Sequence, residues 1–172
     1  AKGGSLIAAN EFPDSGIGFQ RITNDNIRYT SGLLARVLEE LSKEYVDSFP
    51  ESFLQINDLS NRNGGNRPGL SGAHQNGLEA DIIIPSKTPI FTNMSMKTIM
   101  SSVKYDVLWK MLKTMYDMEY DKNAVATKLL NRIFIDTEHI QKLCNNEDVI
   151  KDDPKYHQIF NYLQDWPGHT TH

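Results

Sequence analysis

Between residues 31 and 47 the apolar positions Leu33, Leu34, Val37, Leu38, Leu41 and Tyr45 recur at helical spacing, with Arg36, Glu39, Glu40, Lys43 and Glu44 on the other side. That pattern predicts an amphipathic helix. A second stripe, Val107, Leu108, Met111, Leu112 and Met115, predicts another over 105–118, its methionines serving as adaptable core filler. Shorter helices are predicted at 138–144 behind a Thr137 cap, and at 154–164. In the latter, Asp153-Pro154 offers an N-cap followed by proline at the first helical position. Three brief runs rich in Ile and Phe, at 53–56, 80–84 and 132–135, read as strands. They are too few for a sandwich. Helices bracketing a small, mainly antiparallel sheet give an α+β domain. Gly, Pro and Asn gather at 10–18 and 57–77, and the second cluster reads as a long structured loop before a central strand, a placement that often carries function.

Composition narrows the classes. The 172 residues suit one domain, which we take as residues 1–172, and area scaling buries about 70% of the unfolded surface, enough for stability without disulfides. With 18 basic against 22 acidic side chains and no run of Lys/Arg longer than a pair, no basic stripe exists to track a phosphate backbone, so nucleic acid is excluded as a partner. No apolar run, Ile82-Ile83-Ile84 included, approaches the length of a membrane span. The single Cys144 cannot form an internal bridge. Between Leu143 and Asn145, with only Lys142 as a basic neighbour, it reads as a buried thiol rather than a nucleophile. The start, Ala1-Lys2-Gly3-Gly4-Ser5, lacks an initiator Met, which fits a mature terminus whose export signal has been removed and equally a trimmed one.

The candidate chemistry lies with the five histidines, three of which keep notable company. His74 closes the Gly/Asn loop and Asp81 opens the run Ile82 to Ile84, a His-x6-Asp spacing across a turn and strand junction. An imidazole nitrogen and a carboxylate oxygen are ordinary zinc donors, so the pair can supply half of a tetrahedral site; a satisfied structural histidine and a strand-start aspartate have the same appearance. His169 and His172 lie in Trp166-Pro167-Gly168-His169-Thr170-Thr171-His172, where a terminal tail or tag remnant is the competing reading. No Gly-x-Ser-x-Gly elbow, Walker loop, Gly-x-Gly-x-x-Gly or His-Glu-x-x-His is present.

Read together, these segments resemble the penicillin-insensitive murein endopeptidases of the LAS group of zinc peptidases. The resemblance is carried in order by Gly4-Ser5 with Phe12 to Phe19, Arg28-Tyr29, Leu54 to Ser60, Gly64-Gly65, and His74-Gln75-Asn76-Gly77-Leu78-Glu79-Ala80-Asp81-Ile82. Arg132 to Ile135, Leu143-Cys144 and Trp166 to His172 complete it. It implies that His74 and Asp81 are zinc ligands and that the third ligand is a histidine two residues after His172. It places His172 as the catalytic histidine beside the metal, with His169 supporting proton transfer. Trp166, Ser71 and Gln75 become the substrate-facing residues, although a core role suits Trp166 equally. The chain departs from the family pattern at Ser71, where a histidine is usual, at Glu79, where aspartate is usual, and in having one cysteine.

The resemblance implies a zinc-dependent peptidoglycan hydrolase of the cell envelope, periplasmic or secreted. Its substrate would be the cross-linking peptides, with D-alanyl to diamino-acid linkages as the target bond. Two other readings stand beside it: a metal-poor relative that binds peptidoglycan as a module, and a D-alanyl-D-alanine carboxypeptidase of the same group.

Overall fold

A computed structural model describes residues 5–22, 26–65, 74–87, 95–122, 125–128, 131–145 and 152–167, with backbone only at Met96 and over 119–128. The chain forms two compact units, Ala1–Ile83 and Ile84–His172.

The first unit is built on one long helix. Helix α1 (Gly32–Ser48) starts where the Ser31 hydroxyl accepts the Leu34 N–H at 3.2 Å, satisfying a first-turn donor. It buries Leu38, Leu41, Ser42 and Tyr45, whereas Leu33, at the start of the predicted stripe, is exposed. Five short strands accompany the helix: β1 (Asn10–Glu11), β2 (Ser15–Gly16), β3 (Phe19–Arg21), β4 (Tyr29–Thr30) and β5 (Leu54–Ile56). β1 pairs with β4 and β2 with β3, both antiparallel, while β3 and β5 run parallel with Phe19 opposite Leu54. Gly18, at φ +77°, leads into β3; a Cβ there would lie 2.1 Å from the Ser42 carbonyl oxygen, so only glycine lets this turn reach the helix. Phe12, Phe19, Leu38, Leu41, Leu54, Ile56 and Leu59 are all at most 3% exposed and make the core.

The predicted strand at 80–84 is reduced to a single antiparallel bridge between Ile82 and Ile56. Three hydrogen bonds carry it: Ile83 N–H to Gln55 O at 2.9 Å, Asn57 N–H to Asp81 O at 2.8 Å and Asp81 N–H to Asp58 O at 3.0 Å. The extended segment is real, but its partner β5 is three residues long, so no longer ladder can form.

In the second unit, α2 (Met96–Ser102) is followed by α3 (Tyr105–Asp117), which buries Val107, Leu108, Trp109, Met111 and Leu112; Met115 is half-buried. A hairpin, β6 (Glu119–Lys122) and β7 (Val125–Lys128), comes next, then β8 (Ile133–Ile135). Helix α4 (Thr137–Asn145) is capped by Asp136 rather than Thr137. The Asp136 carboxylate accepts the Glu138 N–H at 2.9 Å, while the Thr137 hydroxyl donates to Asp165. The helix predicted at 154–164 is only α5 (Tyr156–Phe160). After it, Leu163–Asp165 forms β9, parallel to β8, because Ile133 N–H and Trp166 N–H bond to the Tyr162 and Ile135 carbonyls and draw the chain into a ladder. Cys144, expected in the core, is half-buried.

Mixed helices and small sheets make this an α+β protein, with the strands of the described residues spread over four sheets rather than one. No helix among the described residues is long and apolar enough to cross a membrane.

Candidate functional site

The turn after the Gly/Asn loop brings the His-x6-Asp pair together. His74 Nε2 lies 3.2 Å from Asp81 Oδ1, with the two side chains 21% and 20% exposed. The bridge of Ile82 to β5 fixes Asp81, whose own N–H and C=O are both tied to the segment after that strand. His74 is held differently. Its φ of +59° is left-handed, a conformation a non-glycine residue keeps only when its surroundings enforce it. Here both of its backbone polar groups are captured by side chains. The Glu79 carboxylate accepts the His74 N–H, and the Ser60 hydroxyl donates to the His74 carbonyl. At the next residue, the Gln75 carbonyl accepts the Gly65 N–H at 2.9 Å. Gly64, at φ +65°, makes that contact possible, since a Cβ there would stand 2.2 Å from the Gln75 carbonyl oxygen.

The electrostatics are those of an acidic nest. Burial of the imidazole disfavours its charged form, but the carboxylates of Asp81, Glu79 and Asp58 outweigh this and raise the His74 pKa above the ordinary histidine value. The His74 Nδ1 atom is buried and has no hydrogen-bond partner among the described residues.

This donor pair fits a zinc ion. Two donors at about 2.0 to 2.2 Å from one tetrahedral zinc stand about 3.3 to 3.6 Å apart, which the 3.2 Å between the His74 and Asp81 atoms nearly reproduces. The unpartnered Nδ1 shows that the imidazole's hydrogen-bonding capacity is not used up by the fold around it. Among the described residues no group of three or more His, Cys, Asp or Glu is spaced to hold a metal. His169, His172 and Ser71 lie outside the described residues. Gln75 is described and buried, at 4% exposure. Trp166 follows β9 rather than ending a helix; it is 41% exposed, its ring edge-on to Phe134 at 4.8 Å. Ser60 and Glu79 had no positioning role in the sequence reading, although both stand in segments that carry the family resemblance. Their roles are contacts to main chain, for which residue type gives no signal.

No curated protein matches the chain. All of residues 1–172 match the family described as penicillin-insensitive murein endopeptidase. With its His-x6-Asp pair folded into one half-buried, acidic turn, the chain belongs to that family of peptidoglycan-cleaving peptidases.

Proposed function

We propose that the protein is a zinc metallopeptidase of the cell envelope that hydrolyses an amide bond in peptidoglycan cross-linking peptides, with D-alanyl to diamino-acid linkages as the target. The observation that carries this is the 3.2 Å approach of His74 Nε2 to Asp81 Oδ1 inside a chain of the murein endopeptidase family. His74 and Asp81 would hold the ion. Bound there, zinc supplies Lewis acidity that polarises the scissile carbonyl and acidifies water. The chain's own contribution is orientation: Glu79 and Ser60 fix the His74 backbone, and the β5 bridge fixes Asp81. His172 and His169 keep the proton-transfer roles that the sequence resemblance assigns them. A periplasmic or secreted location follows from the substrate.

Elemental analysis and muropeptide digestion test the reading together. The purified protein should carry about one zinc per chain and cleave cross-linked muropeptides, and His74→Ala and Asp81→Ala should lose both properties. Unchanged zinc content in Asp81→Ala, or hydrolysis that survives complete chelation, would overturn it.

A further inference from the structure

An open cavity of about 420 Å³ in the first unit is lined by Asn26, Tyr29, Asn61, Arg62, Asn63 and Gly64. We propose that it is a substrate subsite that anchors an acidic peptide, with Arg62 taking a free carboxylate of the peptidoglycan stem and the asparagines taking its backbone amides.

Three observations carry the inference. Among the described residues the lining is four polar side chains, the Tyr29 side chain and Gly64, which suits a hydrated, extended polymer better than an apolar small molecule. Among the described residues, the Arg62 guanidinium, the carboxamides of Asn26, Asn61 and Asn63, and the Tyr29 hydroxyl make no hydrogen bond or ion pair. This contrasts with Arg21 and Arg28, both engaged with Asp14. The cavity is also joined to the His74 turn at both ends of its floor. Ser60, just before Asn61, exchanges two backbone hydrogen bonds with Tyr29, at 2.9 and 3.0 Å, and holds the His74 carbonyl through its hydroxyl. Gly65, just after Gly64, donates its N–H to the Gln75 carbonyl. A ligand in the cavity therefore rests on the loop that positions His74.

The lining chemistry selects the ligand class. A guanidinium binds a carboxylate through two parallel N–H groups, and each carboxamide offers one acceptor and two donors, the complement of a peptide group. A saccharide would call for stacking faces, and the cavity has one aromatic ring among the described residues. Among peptidoglycan's parts, this leaves the stem peptide, whose side-chain and α-carboxylates are free, rather than the glycan strand.

The inference rests on the peptidase reading above, and the experiment separates the two. KM and kcat are measured for the full chain and for Arg62→Ala and Arg62→Lys on a cross-linked muropeptide and on the same compound with its free carboxylates amidated. Binding of the acidic stem peptide is measured by calorimetry on the His74→Ala background with and without Arg62→Ala. Arg62→Ala should raise KM for the acidic substrate about tenfold or more with kcat unchanged, leave the amidated substrate unaffected, and weaken stem-peptide binding by the same factor on the His74→Ala background. Arg62→Lys should fall between. Equal KM in Arg62→Ala and wild type, an equal loss on both substrates, or Arg62-dependent binding of peptide-free glycan would overturn the subsite. Absence of hydrolysis of either muropeptide by the wild-type chain would instead overturn the peptidase reading and leave the calorimetric result standing by itself.

Discussion

His74 combines two costs that a protein rarely accepts in one residue: a left-handed backbone and a buried ring nitrogen without a partner. Both become intelligible if the imidazole is aimed for chemistry and the backbone around it is the aiming device. The Glu79 carboxylate can reach back to the His74 N–H because glutamate is one methylene longer than the aspartate usual in the family at this place. Removing that acceptor leaves a half-buried N–H unsatisfied and releases the turn. Glu79→Ala is therefore expected to lower zinc affinity about 10- to 100-fold, with Glu79→Gln, which retains a carbonyl acceptor, close to wild type. Competition against a chromophoric chelator measures the affinity, and the His74 amide-to-Hα coupling reports its φ. Wild-type affinity in Glu79→Ala would show that the turn holds without it.

At the scale of elements, periodicity was informative where one face alone is buried. The stripe of α1 from Leu38 to Tyr45 and that of α3 from Val107 to Leu112 lie as the spacing predicts, whereas Leu33 sits in the first turn, before the helix meets the core. The two-residue strands β1, β2 and β4 are too short to show alternation. β9 was hidden behind a proline-led helical start, because its pairing with β8, thirty residues earlier, is a tertiary fact. The proximity of His74 and Asp81 was legible from their spacing. The clamps from Ser60 and Glu79 were not, since a side chain that captures a peptide group leaves no pattern in residue type.

The same level of organisation explains Asp153. Predicted as the cap of a long helix, its carboxylate also ties α3 to the start of α5: it accepts the Lys155 N–H at 3.0 Å, the Trp109 indole N–H at 3.2 Å and the Lys113 ammonium at 2.9 Å. Burial favours its neutral form, but these donors outweigh that and hold its pKa below the ordinary carboxylate value. A lowered folded-state pKa stabilises the fold above the unfolded value of about 3.9, and that contribution is lost as pH falls through the lowered one. Asp153→Asn should thus cost about 2 kcal/mol at neutral pH and flatten the acid limb of the stability curve. Urea melts from pH 2 to 7 would show this, and parallel curves for the two proteins would refute it.

For the molecule as a whole, a ligand that binds only the folded chain adds its binding free energy to stability. Zinc at a hundredfold excess over its dissociation constant should raise the unfolding free energy by about 2.7 kcal/mol, and the Asp81→Ala protein should not respond. Thermal melts with and without zinc decide this independently of any substrate, and an equal shift in both proteins would place the ion elsewhere. Family membership, by contrast, rests on the full span of residues 1–172 and on no single contact.

Glu79, Ser60 and the β5 bridge fix the His74 turn through its main chain, with groups other than the two proposed zinc donors. Such clamps bear on kinetics as well as on affinity. If those clamps hold the turn, the proposed metal should load without a slow rearrangement of His74 and Asp81, so that uptake rises in proportion to free zinc and the lifetime of the bound ion sets how tightly it is kept.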